Sequence, residues 1–172
     1  MESALRDVDL DDAQAIARIY AHYVLTSCAT FEEMPPDSGE IRIRITETTR
    51  AGYPWIVAES PSGNIAGYAY ATAFKTRSAY RFTVENSVYV AQEHLRRGIG
   101  TALMRRLIVE CERRGFRQMI AVIGDSANVA SRHLHSRLGF SDTGILSGVG
   151  YKFGRWADAV LMQLPLTPQT KG

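Results

Sequence analysis

The chain has 172 residues, 45% of them hydrophobic and 22% charged, with a net charge of +2, the balance of a soluble globular protein with a substantial core. So small a charge excess argues against a nucleic-acid partner, and no apolar run approaches the ~20 residues of a membrane span. The acidic start MESALRDVDLDD lacks a charged-then-apolar leader, so a cytoplasmic protein is expected.

No repeat, linker or low-complexity block divides the chain, which predicts a single domain over 1–172 with a flexible tail at 166–172. DLDDAQAIARIYAHYVLTS opens with aspartates suited to capping a helix, and Ala13, Ile16, Ala17, Tyr20 and Val24 recur at helical spacing. PPDSGEIRIRITETTRAGYP carries two signals. Asp37 followed by Glu40 resembles a capping box, while Ile41, Ile43 and Ile45 alternate as in a strand; a helix is the preferred assignment. WIVAES and NIAGYAYATAF flank the turn PSGN as a hairpin, and the β-branched and aromatic run FTVENSVYVA follows as a third strand.

Beyond it lies VAQEHLRRGIGTALM, leading into a helix with Ile99, Leu103 and Leu107 on one face and Gly115 as its C-terminal stop. RQMIAVIG has the pattern of a short strand buried on both faces. SANVASRHLHSRLGF predicts a helix with Ala130, Leu134 and Leu138 every four residues, ended by Gly139. TGILSGVGYKF and DAVLMQLPL close the chain as strands. The order α-α-β-β-β-α-β-α-β-β predicts a mixed, mostly antiparallel sheet flanked by helices, a three-layer α/β/α arrangement. Cys28 and Cys111 both fall in helix-like patterns and are expected as buried free thiols.

Strand, then Arg96-Arg97-Gly98-Ile99-Gly100-Thr101, then helix has the form of an anion site, where free main-chain N–H groups meet the positive end of a helix dipole. A Walker A loop is excluded, because no Gly-Lys-Ser/Thr occurs. A dinucleotide fingerprint is disfavoured: Leu103 stands where its third glycine belongs, and the segment lies mid-chain. A plain glycine turn remains an alternative.

HLRRGIGTALM resembles the pyrophosphate loop [QR]-x-x-G-x-[GA] of the GNAT superfamily of N-acetyltransferases. YPWIVAE, GYAYATAFKTRSAYRFTVENSVYV, MIAVIG, LHSRLGF and GVGYKFGRW are similar, in order along nearly the whole chain, to blocks of the phosphinothricin and methionine sulfoximine/sulfone acetyltransferases. The resemblance implies acetyl-CoA as co-substrate, cradled by the main chain of Arg96 through Thr101 with Val88, Tyr89 and Val90 beside the pantetheine. It also implies a homodimer, and an acceptor that is a small amino-acid analogue. Herbicide-analogue resistance would then be detoxification, or a by-product of it.

Glu85 is the candidate general base. Alternation sets Val84, Asn86, Val88 and Val90 on one sheet face and Glu85, Ser87 and Tyr89 on the other, and a carboxylate in so apolar a strand invites a raised pKa. The alternative is a solvent-facing glutamate or an ion pair with Arg81. His135 stands where many such enzymes carry the acid that protonates the leaving thiolate, although a lone helical histidine is as readily structural. Asn128 and Ser131 match CoA contacts and are equally explained as helix caps. Lys75, Arg77 and Arg81 supply cations for an anionic acceptor, with a solvated basic loop as the alternative. Phe31, Tyr151 and Phe153 are candidate pocket walls, or core or dimer contacts. His22, His94, His133 and His135 form no ligand set, so no metal is expected. Cys111 reads as core on the helix after the glycine turn and Cys28 has no base beside it, so nothing compels a covalent acetyl-enzyme. A different amine acceptor (polyamine, aminoglycoside or protein N-terminus) and a non-catalytic CoA-binding module stay open.

Overall fold

In the computed structural model, which describes residues 3–167, the elements run β1 (Ala4–Asp7), α1 (Ala13–Thr26), α2 (Ser38–Arg50), β2 (Trp55–Glu59), β3 (Ile65–Ala73), β4 (Thr83–Val90), α3 (Ile99–Arg113), β5 (Gln118–Gly124), α4 (Val129–Arg137), β6 (Ser141–Lys152) and β7 (Arg155–Pro165). They form one seven-stranded sheet in the order β1-β2-β3-β4-β5-β7-β6. Every neighbouring pair is antiparallel except β4 with β5. Strand alternation divides the core. Ile56, Ala58, Ala69, Ala71 and Val84 pack towards Leu103, Met104 and Leu107 of α3, and Trp55, Val57 and Tyr68 pack towards Ile16, Tyr20, Ile41 and Ile45 of α1 and α2. The three-layer expectation holds. Among the described residues, no helix is long and apolar enough to cross a membrane.

The ambiguous second segment is a helix because only Ile41 and Ile45, one turn apart, are buried, whereas Ile43 is exposed. Asp37 caps it by accepting the Glu40 N–H at 2.8 Å. Glu40's own carboxylate turns to Arg44, so the box is half made. β1 was not expected: four residues of mixed polarity carry no readable period. It forms by pairing with β2 and by Arg6, which donates to both oxygens of Asp12 at 2.8 Å and to Glu59 at 2.9 Å.

Three further corrections concern detail. Cys28 lies past the end of α1, not in a helix, while Cys111 is on α3 as expected; both are buried free thiols. The buried side chain of α4 is His135, with Ala130 exposed and Leu134 and Leu138 only half-buried. Leu166, placed in the expected flexible tail, is buried and donates its N–H to Arg117 O; residues 168–172 lie outside the described residues.

Candidate functional site

β4 and β5 pair only from Thr83↔Gln118 to Asn86↔Ala121. Beyond that point β5 continues against β7 alone, and Ser87–Val90 diverge from it, opening a fork. Asn86 closes the apex. Its Nδ2 donates to Ile120 O at 3.1 Å, taking an acceptor in line with the strand ladder, which leaves its Oδ1 to accept from His135 Nε2 at 2.9 Å. The other ring nitrogen lies 2.8 Å from Ser131 O and 3.5 Å from its hydroxyl. In the neutral ring Nε2 carries the proton given to Asn86 and Nδ1 is left to accept from the Ser131 hydroxyl, while Phe140 packs edge-on against the ring. Burial holds the His135 pKa below its ordinary value, with the Ser131 carbonyl opposing.

The fork opens into a cleft of about 290 Å³ lined by Ser87 through Val90, Gly100, Val122 through Gly124, Asn128, Ser131, Leu134 and His135. Gly100 sits at the first turn of α3, packed towards Leu134 and Val90. The preceding turn adopts left-handed conformations at Arg96 (φ 59) and Gly98 (φ 79), and Gly98 begins the helix with no side-chain cap. The first helical N–H with a main-chain acceptor is that of Ala102, to Gly98 O. The amides of Ile99, Gly100 and Thr101 therefore precede the helical ladder at the positive end of a fifteen-residue helix. Arg96 and Arg97 are exposed on the same turn. Asn128 caps α4 by accepting the Ser131 N–H at 3.2 Å and lines the cleft at the same time. A cleft with a free strand edge, a helix N-terminus and two flanking arginines fits an extended thioester carrier bearing a pyrophosphate.

Across β4 lies a second cavity of about 230 Å³, lined by Tyr20, Ala29, Thr30, Phe31, Tyr70, Glu85, Ser87, Tyr89, Val122 and Gly124. Ala29, Ser87, Tyr89, Val122 and Gly124 line both spaces, so the two meet at the fork. Glu85 faces this second cavity, and burial raises its pKa while the charge of Lys75 partly draws it down. The Arg81 ion pair is not formed: that guanidinium lies 4.6 Å from the Phe82 ring centroid and donates to Ser78 O. Tyr20 donates to Glu32 at 2.9 Å and shares a 2.7 Å hydrogen bond with Thr30, and Arg44 clamps Glu32 with two further bonds.

The remaining candidates are more scattered. Lys75, Arg77 and Arg81 are exposed on the β3–β4 connection, outside the cavity lining. Tyr151 and Phe153 are not brought to the cavity either. They are 57% and 56% exposed: alternation along the end of β6 turns Gly150 and Lys152 inwards and Tyr151 outwards, and Phe153 lies in the turn after the strand with a left-handed φ of 53. Asn86 and Lys152 were missed by the sequence. An asparagine inside an apolar strand and a lysine between two aromatics were the available signals.

The chain matches the Acetyltransferase (GNAT) domain family over residues 5–161. It is 52% identical, over 94% of its length and 82% of the relative's, to phosphinothricin N-acetyltransferase of Alcaligenes faecalis. It is 38% identical, over 98% of its length and 97% of the relative's, to an L-methionine sulfoximine/L-methionine sulfone acetyltransferase of Pseudomonas aeruginosa. Among solved structures, a GNAT superfamily phosphinothricin acetyltransferase from Sinorhizobium meliloti, crystallised with acetyl-CoA, superposes with a TM-score of 0.94 at 45% identity, covering 99% of this chain and 91% of that one.

Proposed function

This chain belongs to the GNAT acetyltransferases and uses acetyl-CoA, and from that premise we propose that it acetylates the α-amine of a small amino-acid analogue such as phosphinothricin or methionine sulfoximine or sulfone, by direct attack in a ternary complex. The observation carrying the proposal is the junction at the fork, where the cleft suited to the thioester meets the cavity holding a half-buried carboxylate. Glu85 accepts a proton from the incoming ammonium, directly or through a water, and its raised pKa brings it nearer the ~7.7–8.0 of an α-amine. The N–C bond then forms at the thioester carbonyl carbon, the C–S bond breaks, and the proton that the nitrogen sheds on becoming an amide passes to the departing thiolate. A main-chain N–H of Val88–Val90 donates to the carbonyl oxygen as charge gathers there. Arg96 through Thr101 bind the pyrophosphate.

His135 holds the fork instead of supplying the proton. Its engaged nitrogens and 2% exposure support that role. Lys75, Arg77 and Arg81 add positive potential at the cavity side, which favours an anionic acceptor and disfavours polyamines and aminoglycosides.

We also propose that two copies associate along the β6 edge and the turn into β7. Among the described residues β6 is the sheet edge, and Ile145, Leu146, Val149, Tyr151, Phe153 and Trp156 are exposed along it and the start of β7, apolar side chains beside an edge strand. Sedimentation of Trp156→Asp should give monomers where the parent gives dimers; a monomeric parent ends the idea.

A thiol-release assay over an amine panel tests the activity. Release with phosphinothricin, methionine sulfoximine or methionine sulfone is expected. Release with polycations alone would reassign the acceptor, and acetyl-CoA binding without release from any amine would leave a binding module.

A further inference from the structure

Ala29, Thr30 and Phe31 form one wall of the cavity beside Glu85, yet they belong to no helix or strand. The segment is held from β6. Lys152, 2% exposed, donates from Nζ to Ser27 O and to Thr30 O, each at 2.8 Å. Two glycines complete the seat. A Cβ on Gly124 would lie 2.0 Å from Cys28 O, and one on Gly150 would lie 2.5 to 2.8 Å from atoms of the Phe31 ring. The main chains of β5 and β6 therefore touch the segment at Cys28, between the two bonded carbonyls, and at Phe31, just beyond them.

A buried ammonium is a costly way to fill space, and an apolar side chain of similar volume is commonly as stable or more so. What the lysine adds is geometric: two charge-assisted bonds to carbonyls three residues apart fix the main chain leading to Phe31. We propose that Lys152 is a positioning residue for acceptor specificity, pinning Ser27–Phe31 so that Thr30 and Phe31 set the shape of the cavity that receives the acceptor's side chain. It reaches neither substrate nor reacting atoms. The proposal rests on the cavity beside Glu85 being the acceptor site.

The experiment compares the parent enzyme with Lys152→Met, measuring KM and kcat for a short and a long amino-acid acceptor, and acetyl-CoA affinity by calorimetry. Loss of the pin should raise acceptor KM by about tenfold, the scale of one hydrogen bond to a charged group. It should also narrow discrimination between the two acceptors and leave acetyl-CoA affinity unchanged. Unchanged KM and discrimination in a folded variant overturn the proposal, as does an equal loss of acetyl-CoA affinity. Should Lys152→Met not fold, Gly150→Ala displaces the Phe31 ring from the same seat, and the same two outcomes decide. A parent enzyme that acetylates no amino acid removes the acceptor assignment and the pin with it, whereas an active parent with an unaffected variant removes the pin alone.

Discussion

The two spaces that meet at the fork are built in opposite ways. The cleft between β4 and β5 presents main-chain groups, the free edge of β4 and the first turn of α3, walled by residues of β5 and α4, with Asn86 and His135 closing the apex. The cavity beside Glu85 is side chains drawn from α1, the segment after it, β3, β4 and β5. A main-chain site tolerates changes of side chain but not of backbone conformation, and one made of side chains does the reverse. One protein can therefore keep its donor while its acceptor varies.

Glu85→Gln should give the largest effect and falls wholly on the acceptor side. Losing a general base costs about 10²–10⁴ in kcat, with acetyl-CoA affinity unchanged. The parent's rate should rise with pH through the elevated Glu85 pKa, and the variant's should not. A carboxyl whose pKa is raised on folding stabilises the fold only below its unfolded pKa, and that stability is lost as pH rises through the folded value. Glu85→Gln should therefore melt no lower than the parent at pH 7. Near-normal turnover removes Glu85 from the role.

Gly98→Ala tests the donor side. The added Cβ meets nothing within 4 Å, so any loss comes from the left-handed backbone at φ 79, which costs an L-residue about 1–2 kcal/mol. Acetyl-CoA affinity should fall roughly five- to thirtyfold if the turn relaxes, with acceptor KM untouched. Arg77→Ala is the reciprocal change, with acceptor KM rising about tenfold or less and acetyl-CoA binding intact. If both variants moved both parameters together, the division between the two spaces would be wrong.

The same contrast explains what the sequence disclosed. Helix and strand periods exposed ten of the eleven elements, and the glycine turn stood out because its residues are neighbours in the chain. The cavity was legible only in part. Phe31 and Glu85 were found, but Tyr20 read as part of a helix face, and Thr30 and Tyr70 carried no signal until the fold brought them together. Asn86 and His135 are 49 residues apart, so neither alone signals the apex they close. Tyr151 and Phe153 were expected as walls, because the composition of GVGYKFGRW shows aromatics without showing which face they take.

The smallest expected effect concerns that apex. His135 is a base whose pKa is depressed on folding, so its neutral ring contributes stability that is present above the ordinary value of 6.5 and is lost as pH falls through the lower, folded value. The other nearby groups do not mask this. Asn86 and Ser131 do not titrate, and Phe140 is apolar. His135→Gln keeps a donor for Asn86 Oδ1 but has nothing to protonate. Melting temperatures at pH 8 should differ by only a few degrees, the scale of about 1 kcal/mol in a domain of this size. Between pH 6.5 and 5 the parent should lose more stability than the variant. Turnover at pH 8 should also survive in His135→Gln, since a ring that only holds the fork donates no proton to the leaving thiolate. A collapse of kcat with stability and acetyl-CoA affinity intact would return the histidine to the role of acid.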